Sequence, residues 1–249
     1  MTDTPASPDT PDTPDTPDTR PPTEMPPEPV QLSVPVPAQE GGQDGEDEIL
    51  AALLPAPTGA YIDIGANHPS ECSNTWQFYR RGWRGLLIDP LPQTWYGLLR
   101  HRPGDYLLPI AVGDYRGHGR FRACNSVSSL RPDWAIEEQA NLTVEVDTLA
   151  NILQHFPTIR RYCSLLSIDV EGAEKAVLLG CDFTSFRPKV VVVEYIKYPL
   201  EGSDLSGEWE HLLTAHNYKR VASTRFNHIY SLQKAAHGHE GHRRGVPLS

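Results

Sequence analysis

The segment Lys189-Val-Val-Val-Val-Glu194 sets four valines in a row. A strand with one wet face alternates apolar and polar side chains, so an unbroken apolar run must be covered on both faces. Four residues are too few for a buried helix, and β-branched side chains fit a pleated surface better. The chain is thereby committed to a sheet sandwiched between helices. The apolar runs 61–64, 85–88, 106–112 and 164–170 are further strands of this kind, and the valine strand spans 189–195. Segments 73–81, 93–101, 147–155, 171–179 and 204–216 carry helical spacing, while 119–123 and 142–146 read as extended excursions. Strands alternating with helices predict an α/β fold, with a mostly parallel twisted sheet and helices on both faces. Runs 218–223 and 228–233 have no helix between them and predict an antiparallel β-hairpin at the carboxyl-terminal end.

Composition separates the ends from this middle. Twelve of the 24 prolines lie in residues 1–40, and residues 8–19 are four consecutive Pro-Asp-Thr copies. Such a segment lacks the large apolar side chains that offset ordering entropy, so residues 1–48 read as a disordered leader. Residues 235–249, with His237, His239 and His242, read as a flexible tail, leaving 49–234 as the folded domain. The leader holds 12 acidic residues and one basic, so the net charge of −10 divides into −11 for the leader and +1 for the rest. A near-neutral domain offers no phosphate-tracking stripe, which disfavours nucleic acid as a partner. Cys72, Cys124, Cys163 and Cys181 form no C-x-x-C pair, which argues against finger-type zinc and a disulfide framework. No apolar run reaches the roughly 18–20 residues of a membrane span, and no secretory signal is visible. The expectation is a cytoplasmic enzyme-sized domain with reduced cysteines; its oligomeric state leaves no mark in the sequence.

In open α/β sheets, ligands bind beyond the carboxyl ends of the strands. After the first run come Asp63, Gly65, Ala66, Asn67 and His68. Gly65 permits a tight turn, and the helix beyond it can hold an anion at its amino end. The pattern is not G-x-G-x-x-G, so a dinucleotide pyrophosphate loses support. The second run ends in Asp89, 24 residues after Gly65, where a carboxylate can accept hydrogen bonds from both ribose hydroxyls of a nucleoside. The third ends in Ala111-Val112-Gly113-Asp114, whose small residues leave room for a flat base. Asp114 can meet an exocyclic amine there, and equally suits a plain Gly-Asp turn.

The fourth run ends in Asp169-Val-Glu171-Gly-Ala-Glu174, and the valine run in Glu194. Acids favour a helix amino end, Glu171 and Lys175 have i,i+4 spacing, and Glu174 is assigned no more than that structural role. Asp169 differs, because a carboxylate closing an apolar strand at the ligand edge is costly unless used. With Glu171 and Glu194 it can do acid/base work or hold a divalent cation, although no residue is assigned outright to a metal. His68 is a further candidate base. Cys163 and Cys181 read as small core residues.

These fragments, in this order, resemble the FkbM family of S-adenosylmethionine-dependent methyltransferases. Ile62-Asp-Ile-Gly-Ala-Asn67 looks like its first motif, and Val146-Asp-Thr-Leu149 matches a segment ahead of its fourth strand. The stretch from Ser167 to Glu174, then Val177-Leu178 and Phe186 through Glu194, matches its most recognisable block. Pro69 stands where many members carry a second glycine. The resemblance implies a class I Rossmann-like methyltransferase fold, S-adenosylmethionine as cofactor, and methyl transfer to oxygen on a sugar, glycan or secondary metabolite. It places Asp63, Gly65 and Asn67 at the methionine end, Asp89 on the ribose and Asp114 near the adenine. It also brings Ser126, Ser128 and Ser129 toward cofactor or acceptor.

A sulfonium is already an activated methyl donor, so the protein must chiefly align it with an acceptor. An alcohol acceptor also has to lose a proton, for which Asp169 leads, followed by Glu171 and Glu194. Two other readings compete. A nucleotide-dependent oxidoreductase or epimerase is opposed by the missing G-x-G-x-x-G. A non-catalytic interaction module is opposed by carboxylates kept at several strand ends.

Overall fold

The valine run is β8 (Val190–Glu194), and its four valines are buried inside a seven-stranded sheet. The computed structural model describes residues 40–123, 128–130, 140–195 and 204–234. Numbered along the chain, the other strands of this sheet are β1 (Ala60–Ile64), β2 (Arg84–Ile88), β3 (Tyr106–Leu108), β7 (Cys163–Ile168), β9 (Tyr218–Ser223) and β10 (Asn227–Leu232). Their spatial order is β3-β2-β1-β7-β8-β10-β9. The first five run parallel; β10 is antiparallel to both β8 and β9, which makes the predicted hairpin.

The sheet is covered on both sides, as an unalternating strand demands. Val191 and Val193 enter one core with α4 (Leu149–His155), α5 (Pro157–Tyr162), α6 (Glu174–Leu179) and α7 (Glu210–Thr214), through Leu153, Ile159, Val177 and Leu213. Val190 and Val192 enter the other with α1 (Glu46–Leu53), α2 (Trp76–Arg80) and α3 (Pro92–His101), through Leu50, Phe78 and Leu98. Each fully buried valine contributes about 1.5–3 kcal/mol of transfer free energy. Among the described residues no helix is long and apolar enough to cross a membrane.

Several expected boundaries are corrected. The run 106–112 is not one strand. Pro109 cannot donate to a ladder, so β3 stops at Leu108 and β4 (Ala111–Val112) leaves for a second sheet. There β5 (Gly117–Ala123) and β6 (Ala140–Asp147), the two excursions, pair antiparallel in the order β4-β6-β5. The helix expected from Glu171 starts at Glu174, because Glu171 and Gly172 lie in the left-handed region at φ 56° and 95°. The Glu171–Lys175 helical pair therefore does not exist. The span 204–216 is a 3-10 turn, Ser206–Glu208, followed by the short α7.

The leader boundary at residue 48 is also corrected. Gly41 N–H donates to Ser70 O at 2.8 Å, and Ser73 N–H to Gly41 O at 2.9 Å. Glu46 is fully buried and accepts from Thr224 Oγ1 and from Asn227 Nδ2, the latter at 3.0 Å. Residues 40–48 thus form a strap from the loop after β1 to the β9–β10 hairpin. Composition hides this, since Glu46, Asp47 and Glu48 read as solvated acids although they open α1, where its dipole favours them. The tail at 235–249 lies outside the described residues.

Candidate active site

Strand register builds the site. Ile64 pairs with Ile88 on one side and Ile168 on the other, and Ile168 pairs with Val193. The next residue of each strand therefore falls in one row, Asp89, Gly65, Asp169 and Glu194, at strand spacings of about 4.8 Å. Three carboxyl groups and one glycine turn share the carboxyl edge of the sheet.

Gly65 has φ 81°, and a Cβ there would stand 1.7 Å from Asp169 O. Only glycine lets the turn pass this close to its neighbour. Its N–H donates to Ile88 O at 2.9 Å, while Asp169 N–H donates to Ile64 O at 3.0 Å, so both neighbouring strands pin the turn. Asp89 is buried, with Oδ2 accepting from Asn67 N–H and Oδ1 from Leu91 N–H, both at 2.8 Å. Burial raises its pKa, and those two amide bonds pull the other way. Each oxygen keeps a lone pair for a hydroxyl donor.

A cavity, partly open to solvent, lies along this row. Gly65, Asn67, Asp89, Asp169 and Glu171 form its polar wall, while Leu91, Ile110, Val112, Phe121 and Leu130 form an apolar slot. Ser128 also lines it, Ser129 Oγ donates to Val170 O at 3.5 Å, and Ser126 lies outside the described residues.

Three expected cofactor residues stand elsewhere. Asp63 is turned by strand alternation away from the cavity, into a buried network. It accepts from Thr75 Oγ1 and lies 3.8 Å from Arg102 Nη1, whose Nε also meets Asp105 Oδ2 at 2.9 Å. Burial raises the Asp63 pKa, opposed by the Arg102 charge and the Thr75 hydrogen bond. Ala66 is buried beneath the turn. Asp114 is exposed and lines a neighbouring open hollow with Tyr115, Lys175 and Glu208.

The acids beyond β7 and β8 cluster tightly. One oxygen from each of Asp169, Glu171 and Glu194 lies within 4.8 Å of the other two. Burial raises all of them, pushing Asp169 to about 6 and Glu171 to about 9, with Glu194 well above its ordinary value. A hydrogen bond between the Asp169 and Glu194 carboxyl groups holds the first down and the second up. Glu174 exceeds its assigned helix-end role. It is buried, its Oε1 accepts from Val170 N–H at 3.2 Å and Gly172 N–H at 3.0 Å, and burial pushes it to about 7. It fixes the turn that carries Glu171. His68 is committed to its own loop, its Nδ1 accepting from Ser70 and Glu71 amides at 3.3 and 2.9 Å.

Sequence reasoning missed Arg102, Phe121 and Glu46. Phe121 had a signal, because alternate residues of Gly-His-Gly-Arg-Phe-Arg-Ala turn Gly119, Phe121 and Ala123 inward. Arg102, sitting before Pro103-Gly104, had none.

Comparison with known proteins bears on this arrangement. A family model, the methyltransferase FkbM domain, matches residues 63–220. No curated protein matches the chain. Among solved structures, a TehB-like SAM-dependent methyltransferase from Corynebacterium glutamicum is similar at 10% identity, covering 76% of this chain and 88% of that one, with TM-score 0.40. The Burkholderia thailandensis 1,6-didemethyltoxoflavin-N1-methyltransferase, with bound 1,6-didemethyltoxoflavin and S-adenosylhomocysteine, is similar at 13% identity over 76% and 77% of the two chains, with TM-score 0.38. The Methanococcus jannaschii fibrillarin pre-rRNA processing protein gives 12% identity over 76% of each chain and a TM-score of 0.39. With a family model spanning more than half its length and the family's motif residues in register along one sheet edge, the chain belongs to the FkbM family of S-adenosylmethionine-dependent methyltransferases.

Proposed function

We propose that this protein methylates a hydroxyl oxygen on a small-molecule or glycan acceptor, as a cytoplasmic enzyme. The observation that carries the reading is the row at the sheet edge, with Gly65 between Asp89 on one side and Asp169 and Glu194 on the other. The cavity suits the cofactor's two ends. Asp89 has lone pairs for ribose hydroxyls, the slot at Val112 and Phe121 accepts a flat base, and the Gly65–Asn67 turn offers backbone to the methionine end. S-adenosylmethionine supplies a methyl group on a sulfonium.

The chain's own residues then handle position and proton. Asp169, pushed by burial to about 6, is ionised at neutral pH and close enough to neutrality to act as a base. Glu194 beside it holds its own proton more tightly, so the shared hydrogen bond orients Asp169 without neutralising it. Asp169 takes the hydroxyl proton as the oxygen–methyl bond forms and the sulfur–methyl bond breaks. The test is calorimetry with S-adenosylhomocysteine and with NAD, followed by a methyl-transfer screen over hydroxylated sugars and metabolites. Binding of S-adenosylhomocysteine alone, with product methylated on oxygen, is expected. Binding of NAD in its place, or methylation confined to nitrogen or carbon, would reject the reading.

A further inference from the structure

We infer that Asp169, Glu171 and Glu194 bind one divalent, oxygen-preferring cation of the magnesium or manganese class. Its existence does not rest on the methyl-transfer reading; its use in catalysis does. There the bound ion would replace the proton that Glu194 shares with Asp169 and, by acidifying the acceptor hydroxyl, would stand in for Asp169 as base. The three carboxylate oxygens lie within 4.8 Å of one another. That is the span available to ligands of a single six-coordinate ion with metal–oxygen bonds of roughly 2.0–2.4 Å. The second, independent observation is an orphan. Although Glu194 as a residue is half-buried, its carboxylate is enclosed, and Oε2 is buried with no hydrogen-bond partner. A buried carboxylate oxygen without a donor is costly and calls for one. Among the described residues no ion pair with lysine or arginine reaches any of the three acids.

The frame is rigid. Asp169 and Glu194 stand at the ends of neighbouring strands, and Glu171 is held over them by the turn whose amides Glu174 ties down. Three carboxylates without histidine or cysteine select hard cations over zinc or copper. Asp169 and Glu171 also face the cavity that Gly65 and Asn67 line, so open coordination positions point into it. An octahedral ion with three protein oxygens keeps three positions. They are open to water and to an acceptor hydroxyl.

The experiment titrates the metal-stripped full chain with Mn2+ and reads free ion by electron paramagnetic resonance. One Mn2+ per wild-type chain is expected, displaced by excess Mg2+ and bound at least about tenfold more weakly by Glu194→Gln and Asp169→Asn. Glu171→Gln replaces either variant that fails to melt cooperatively. Binding lost instead on replacing His237, His239 and His242 with alanine would put the ion on the tail and overturn the site, as would no binding at all. Calorimetry with S-adenosylhomocysteine on the same samples separates the two ideas. That ligand bound without Mn2+ removes the cation and spares the methyltransferase, while Mn2+ bound without that ligand does the reverse.

Discussion

Single atoms decide the chemistry at Gly65. A methyl group there would collide with Asp169 O, and φ 81° strains any other residue. Gly65→Ala is expected to abolish S-adenosylhomocysteine binding and to lower the melting temperature, because the strain of roughly 1–3 kcal/mol is relieved only by moving the turn. Asp89→Ala leaves Gly65 in place but removes the acceptor for the Asn67 and Leu91 amides. Calorimetry should show cofactor affinity weaker by about 1.5–3 kcal/mol. Asp169→Asn separates binding from transfer, with affinity nearly unchanged and the rate lower by roughly 10²–10⁴-fold in an assay with an identified acceptor. Equal losses in affinity and rate would place Asp169 on the cofactor instead. The sequence made Gly65, Asp89, Asp169 and Glu194 legible because each closes an apolar run. It could not show that Asp63 faces away, since that depends on which sheet face Arg102 occupies.

At the level of elements, the parallel strands and the closing hairpin followed from patterning alone. The ends of the helices did not, because local carboxylates compete with helix, Glu174 tying the Val170 and Gly172 amides into a turn ahead of α6 and Asp204 accepting from Ser206 N–H. Nor did the strap. Glu46 is a buried carboxylate whose partners, Thr224 and Asn227, lie 178 and 181 positions away. Deleting residues 1–39 is therefore expected to leave the melting temperature within a degree or two, whereas deleting 1–48 should lower it clearly. Equal melting of both truncations would show that the strap adds nothing. Arg102 is the analogous hub beneath the loop after β1. Arg102→Met leaves Asp63 and Asp105 buried without their cation, which should cost roughly 3–5 kcal/mol and about 10 °C of melting temperature.

For the whole molecule, Glu46 makes one acid-labile contribution, opposed by the buried acids Asp169, Glu171, Glu174 and Glu194, which hold their protons more tightly in the fold. Burial alone would raise the Glu46 pKa, but hydrogen bonds from Thr224, the Asp44 amide and Asn227 outweigh it and hold the group below 4.5. A carboxyl lowered by folding stabilises the native state above its unfolded value and loses that contribution as pH falls through the folded one. The Glu46 contribution should thus fade below about pH 4.5, so Glu46→Gln should be less stable than wild type at pH 7 and the difference between them should shrink in acid. An unchanged acid limb in the variant would assign the loss to other groups. The same strap also sets an order of assembly. Synthesis delivers residues 40–48 well ahead of their partners on the hairpin, which follow 178 and 181 positions after Glu46. The edge of the sheet carrying the acids therefore stays unbraced until β9 and β10 arrive. A chain halted before residue 224 would hold a nearly complete parallel sheet with an unlatched mouth, an inactive species ready for quality-control proteases.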